Sequence, residues 1–329
     1  MKHDIKITVV LLSMFLLTQF IGLYMVNHYS TVKVVDGVQV NVSSPKLPFD
    51  LETPKIEKQS DYYSIFSGLI VAFILAILLL IMFTKFEWKF ILKLWFFFVI
   101  IVALSISFYA ITYKLGIEKL YFQIPLLATS VAVPLAFIKI YRQNFLVHNS
   151  TELFVYPGIA VVFSNLLFFR NNPNLGIFAI IILLILISVY DMWAVWKSGI
   201  MQKMAKYQID TLNIFSGFFV PYASKKTKEK IQLLREKYKN KKISKKDLKN
   251  KKFRVNVAIL GGGDIIFPII TAGIVLRAWG LTSAIPVIIG AALGLSYLFF
   301  FSEKKKFYPA MPFITAGIFL GMLVGWLIS

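Results

Sequence analysis

The chain has 329 residues, of which 58% are hydrophobic and only 16% charged, with a mean hydropathy of +0.72. A soluble domain carries about a quarter charged residues, and here the apolar excess falls in blocks of about twenty, the length that crosses a bilayer core as a helix. The composition excludes a soluble fold, and the net charge of +20 does not signal nucleic acid, because 18 of the 36 Lys and Arg lie between Lys197 and Arg254, beside a membrane block, where they suit a loop facing anionic lipid.

In chain order, the apolar blocks predict spans at about 5–26, 62–84, 90–113, 120–139, 151–169, 174–197, 254–276, 279–301 and 308–328. Blocks of this length, without period-2 alternation, are helices and not barrel strands. The first reads as a retained helix, since no small-x-small cleavage site follows it at Asn27-His28-Tyr29. The expected fold class is therefore all-α, a polytopic membrane protein of nine transmembrane helices. Helices 1–6 occupy residues 1–197, a cytoplasmic Lys-rich loop covers 198–253, and helices 7–9 occupy 254–329.

Residues 27–61 mix short Val-rich stretches with Pro45, Pro48 and Pro54, and read as an outside loop with room for a hairpin. The 198–253 loop begins with a mildly amphipathic stretch from Met201 to Tyr222. A Lys-rich stretch from Lys225 to Lys252 follows, with too few apolar residues to fold alone, and is expected to be mobile. With the N-terminus in the cytoplasm, 28 of the Lys and Arg fall on the inside and 8 on the outside, so the C-terminus is expected outside and the setting is the cell membrane.

Sixteen acids are present, nearly all in predicted loops or at span ends; Asp191 and Asp264 lie within the sixth and seventh spans. An ionisable group inside the bilayer costs a few kcal/mol on insertion scales and marks a candidate functional site, the alternative being a carboxylate that hydrogen-bonds two helices together. Counting from Lys197 and Arg254 at about 1.5 Å per helical residue, the two acids sit roughly 9 Å and 15 Å from the same membrane face. Consecutive antiparallel helices can bring them together. Two adjacent carboxylates cannot both be ionised comfortably, so the pair shares a proton: one member can activate water while the other protonates a carbonyl.

Asp264 closes Gly261-Gly262-Gly263-Asp264, where glycines weaken the helix and admit another backbone. Asp191 follows Tyr190, and the ninth span opens with Pro309-Ala310-Met311-Pro312, whose two prolines are expected to keep that segment from forming a regular helix. Cysteine is absent, and His3, His28 and His148 all fall at predicted membrane edges, so no metal centre or cofactor is expected.

The Tyr190-Asp191 pair, the G-x-G-D of Gly261-Gly262-Gly263-Asp264 and Pro309-Ala310-Met311 resemble, in order and placement, the YD, GxGD and PAL motifs of presenilins and signal peptide peptidases. The resemblance covers essentially the whole chain, including the nine-span plan and the long loop before the seventh span. It implies an intramembrane aspartyl protease with Asp191 and Asp264 as the catalytic pair. It also implies that Tyr190, Gly261, Gly263, Pro309, Ala310 and Met311 support the site or engage substrate. Met311 replaces the motif's Leu, a volume-conserving change that bears on substrate preference more than on activity. Gly262 is the motif's variable position and carries little. The N-in orientation is similar to that of presenilin, and the short chain with Lys-rich loops points to a microbial or archaeal source. Transmembrane proteins are the implied substrates and lipid the surroundings, with no nucleic-acid partner. Prepilin-type peptidases share GxGD but have fewer spans and lack the Pro-Ala-Met element. A proton-coupled transporter or cation channel would explain both aspartates but not that element, and no internal repeat supports it.

Overall fold

The computed structural model describes residues 5–35, 37–51, 58–86, 89–115, 124–142, 144–199, 216–222, 256–302 and 308–329. The helices are α1 (Ile5–His28), α2 (Gln59–Phe86), α3 (Lys89–Lys114), α4 (Ile124–Phe137), α5 (Phe145–Leu167), α6 (Pro173–Met192), α7 (Gly262–Trp279), α8 (Leu281–Phe301) and α9 (Met311–Leu327). Each apolar block of the sequence thus contains a helix. Among the described residues seven are long and apolar enough to cross a membrane; α9, with 17 residues, and α4, with 14, are shorter. Both α4 and α6 run on into π-helical turns, Ile138–Arg142 and Trp193–Lys197.

The fold is not purely helical. Strands β1 (Val32–Val35) and β2 (Val38–Asn41) form an antiparallel hairpin in the Val-rich segment after α1, turning at Gly37 with φ +75°. Strands β3 (Gly217–Tyr222) and β4 (Asn256–Gly261) form a second antiparallel pair, with Gly217 opposite Gly261 and Tyr222 opposite Asn256. This adds a strand to one expected element and moves the start of another. The stretch read as amphipathic up to Tyr222 ends in a strand, and the seventh helix begins at Gly262, after six residues that are extended. Val257, Ala258, Ile259 and Leu260 look like the start of a membrane helix by hydropathy, but alternate exposed, buried, exposed, buried as a strand does. Residues 201–215 and the Lys-rich 225–252 lie outside the described residues.

A second shift of boundary matters for chemistry. Helix α5 begins at Phe145, six residues before the first apolar run suggests, because Asn144 caps it: its Oδ1 accepts from the backbone N–H groups of Leu146 (3.0 Å) and Val147 (3.4 Å). His148 and Asn149 therefore stand on a helix and not in a loop, and Glu152 lies two turns into that helix instead of at its start.

Helix α7 is the centre of the bundle, 67% buried and touching α1, α5, α6, α8 and α9, whereas α2 is 6% buried over its apolar stretch. Lipid is as apolar as a leucine side chain, so packing between spans depends on close fit rather than on removal from water. Helices α8 and α9 achieve that fit through glycines. A Cβ on Gly290 would lie 2.1 Å from the Gly317 carbonyl oxygen, and one on Gly317 would lie 2.1 Å from the Gly290 carbonyl oxygen. Gly321 and Gly325 continue the seam against Pro286 and Ser283. A single residue, Gly280 at φ +98°, joins α7 to α8, so the two helices are held back to back.

Gly317→Val should accordingly force α8 and α9 apart. Thermal unfolding in detergent is expected to show a loss of about 1–3 kcal/mol or more, while Leu320→Val, on the exposed face of α9, leaves the midpoint close to wild type.

Candidate active site

Asp191 is the penultimate residue of α6 and only 6% exposed. Its Oδ2 accepts a hydrogen bond from the backbone N–H of Met311 at 3.0 Å, and the backbone N–H of Ala310 lies beside the same carboxylate. These are the first N–H groups of α9, which no helical carbonyl can reach. One turn away the Ser188 hydroxyl donates to Thr315 Oγ1 at 2.9 Å, so α6 and α9 are fastened by two polar links on one pair of faces. The segment 309–312 is correspondingly less irregular than its prolines suggest. Ala310 caps α9 with helical φ and ψ of −85° and −35°, and Pro312 sits in the first turn, where a missing N–H is harmless. The first backbone donor of α9 is thus committed to Asp191 and not open to an incoming peptide.

Asp264 is held by a related device at the start of α7. Gly261 is the last residue of β4 and, with φ −65° and ψ 147°, the cap of the helix; Asp264 is the third helical residue, and its carboxylate turns back toward the Gly261 backbone. A carboxylate three residues into a helix reaching back to the cap N–H is one half of a capping box, and it sits at the positive end of the helix dipole. Asp264 therefore stands at a strand-to-helix junction, not ten residues along a helix. Helical rise from Arg254 does not measure its depth.

The three glycines before Asp264 have separate reasons. A Cβ on Gly261 would approach Asp264 Oδ2 to 3.2 Å, crowding the carboxylate. Gly262 is buried, and a Cβ there would lie 2.6 Å from Ser216 Oγ and 3.0 Å from the Tyr156 ring, so the position read as variable is the tightest of the three. Gly263 is exposed, its nearest foreign atom 3.8 Å from an added Cβ. Its open face leaves space beside Asp264.

Helices α6 and α7 pack directly, and the Asp191 carboxylate is one of the charges acting on Asp264. Tyr190 stays out of this space. Its ring makes an edge contact with Phe73 of α2 at 6.2 Å and leans on Trp193 at 6.2 Å. Pro309 is buried just ahead of α9, and Met311 is 4% exposed. Among the described residues no group of three His, Asp or Glu side chains converges as metal ligands would.

Hydropathy gives no hint of one further buried acid. Glu152, on α5, is 2% exposed, and its Oε1 lies 2.8 Å from Lys139 Nζ and 3.4 Å from His148 Nε2. One turn further along α5, Tyr156 packs against Gly262, with Glu152 on one side and Asp264 within electrostatic reach. Among the described residues its hydroxyl has no well-formed hydrogen bond. The signal was the spacing of His148, Glu152 and Tyr156, four residues apart on one helix face. Placing the start of the span at Thr151 hid it.

The glycine geometry separates two neighbouring substitutions. Gly262→Ala should lower the unfolding midpoint by the equivalent of about 1–2 kcal/mol, because Tyr156 is buried and cannot move aside, whereas Gly263→Ala should leave the midpoint unchanged. Differential scanning fluorimetry on the two purified variants checks this.

Comparison with known proteins agrees with this geometry. The family model described as Signal-peptide peptidase, presenilin aspartyl protease matches residues 21–329. No curated protein matches the chain. Two solved structures share the fold. One, described as a presenilin family intramembrane aspartate protease in C222 space group, superposes with a TM-score of 0.51 at 17% identity, covering 98% of this chain and 99% of that one. The other, described as a presenilin family intramembrane aspartate protease in P2 space group, has a TM-score of 0.53 at 16% identity over 97% of each chain. The family match spans nearly the whole sequence and falls on a bundle with aspartates on adjacent helices: the chain belongs to the signal-peptide peptidase and presenilin aspartyl protease family.

Proposed function

We propose that this protein hydrolyses peptide bonds within transmembrane segments of other membrane proteins, with Asp191 and Asp264 as the catalytic carboxylates. The observation that carries the reading is that each aspartate stands beside a break in regular helix, Asp191 accepting the Met311 N–H at 3.0 Å at the start of α9 and Asp264 facing the Gly261 backbone where β4 becomes α7, on two helices in direct contact.

The pair shares one proton between two carboxyl groups. The ionised member takes a proton from water as the water oxygen attacks the substrate carbonyl carbon, and the protonated member gives its proton to the carbonyl oxygen. The tetrahedral diol then collapses: a proton passes to the amide nitrogen, the C–N bond breaks, and a carboxyl and an amine leave. The N–H donors keep the carboxylate oxygens oriented throughout, which removes a reorganisation cost from the reaction.

Attack requires the substrate helix to unwind, and extended backbone in hydrocarbon must find new partners. The Pro309–Pro312 segment is not the natural partner, since its Met311 N–H serves Asp191. Strand β4 suits the role better. Phe219 bonds through its N–H and C=O to Asn149, so the Phe219–Ile259 pair is the kind that exchanges no backbone bonds, and by alternation Val257, Ile259 and Gly261 direct theirs to the outer edge. The Gly261 backbone faces Asp264, and the edge leads straight to that carboxylate. A substrate strand added there would run its scissile bond past the aspartates. Met311 shapes one wall, and Gly263 leaves the approach open. The charge bias places the N-terminus in the cytoplasm and the C-terminus outside, with nine crossings of the cell membrane.

Purified protein in lipid should cleave a single-span test substrate, and Asp191→Asn and Asp264→Asn should each reduce cleavage by more than a thousandfold, about 4 kcal/mol of transition-state stabilisation. The double variant should be no worse than either single one, because the two act as a unit. Substantial cleavage by either single variant would refute the assignment.

A further inference from the structure

We propose that Asn149, with His148 and Glu152, is a positioning device for the reaction: these side chains of α5 pin β3 and so hold β4 as a preformed edge for substrate. The inference rests on the reading that substrate adds to β4, and it assigns a role to residues remote from the aspartates.

The geometry is that of a helix imitating a strand. Asn149 Nδ2 donates to the Phe219 carbonyl at 2.8 Å, and Asn149 Oδ1 accepts from the Phe219 N–H at 3.2 Å, which is the pair of bonds a neighbouring peptide group would make. Two residues back along β3, His148 Nε2 meets the Gly217 carbonyl at 2.9 Å, and Glu152 Oε1 faces the Gly217 N–H at 3.5 Å. The outward backbone groups of Gly217 and Phe219 are thus all answered by α5. Lys139, paired with Glu152 at 2.8 Å, supplies the counter-charge that lets a carboxylate stand in this buried place.

Why such a clamp is needed follows from the size of the sheet. A two-stranded antiparallel pair is marginal by itself. Strand β4 touches β3 and the start of α7 and little else, so β3 is its only lateral support among the described residues. If β3 frays, β4 loses its extended form, and a substrate must order the edge before it can bind. Apparent affinity then falls by the fraction of time the edge is formed. Once substrate is seated the edge is ordered again, with Gly261 back beside Asp264 and Asp191 anchored on α9 throughout, so the chemistry itself is unchanged.

The test uses Asn149→Ala in the full-length protein in lipid, with a single-span substrate. KM should rise about five- to twentyfold, the cost of two hydrogen bonds at about 1 kcal/mol each partly offset by water, while kcat stays within about twofold. Backbone amide exchange of Phe218, Val220, Ala258 and Leu260 should quicken in the substrate-free protein, a readout independent of cleavage. His148→Gln, which keeps a donor for the Gly217 carbonyl, should behave as wild type, and His148→Leu should follow Asn149→Ala; this pair carries the comparison if Asn149→Ala does not fold. A fall in kcat with KM unchanged, or faster exchange without a change in KM, overturns the positioning role. Unchanged exchange in Asn149→Ala overturns the clamp itself. Failure of the wild-type protein to cleave would count against the proteolytic reading, whereas the exchange result still decides whether the clamp exists.

Discussion

Inside hydrocarbon every backbone N–H and C=O must find a partner within the protein, and this constraint governs the region around Asp191 and Asp264. Three regular elements end there: α6 loosens into a π-helical turn, β4 changes into α7, and α9 begins. Each ending frees backbone groups that helices elsewhere satisfy internally. Asp191 is the acceptor that meets the orphan Met311 N–H at the start of α9, and Asp264 faces the Gly261 backbone at the start of α7. The groups proposed for catalysis are therefore also the caps that make the helix ends tolerable, which ties the placement of the carboxylates to the integrity of the bundle.

The same constraint explains the second polar layer. Strands near a membrane have edges, and an edge buried against apolar side chains costs as much as any unsatisfied backbone group. On β3 that edge is closed by His148, Asn149 and Glu152, and the charge this brings inside is balanced by Lys139. On β4 the outer edge meets no partner strand among the described residues. Tyr156 stands between the two layers, against Gly262, so that the cluster under β3 and the carboxylate of Asp264 share a wall.

Distance from the site changes the kind of interaction that matters. The far part of the bundle is held by glycine seams such as Gly290 with Gly317, where backbone meets backbone. At the opposite end of α7, buried Arg277 donates to the Ser164 carbonyl at 3.3 Å and to Asn165, and lies over the Phe168 ring. Gln39 of β2 donates to the Arg277 carbonyl at 3.1 Å, so the first hairpin is tied to that end of α7. The central helix is thus fixed at both ends by polar contacts and along its length by close packing, which leaves little freedom to shift Asp264 along the membrane normal.

Much of this was legible in the sequence because it depends on local chemistry. Block length and hydropathy determine membrane helices. Isolated aspartates within such blocks announce a site, and the Tyr190-Asp191, Gly261–Asp264 and Pro309–Met311 motifs identify the family without coordinates. Tertiary structure decided the rest, since hydropathy cannot distinguish a buried strand from the first turns of a buried helix. Asn256–Gly261 is apolar enough for either, and only pairing with Gly217–Tyr222, distant in sequence, selects the strand. Glu152 was invisible for a related reason: an acid at the edge of an apolar block reads as exposed until a lysine from another helix is seen beside it. The prolines at 309 and 312 predict a broken segment, but whether its N–H groups face a substrate or a carboxylate depends on how α6 packs against α9. That is a contact between residues 120 positions apart, and no local pattern encodes it.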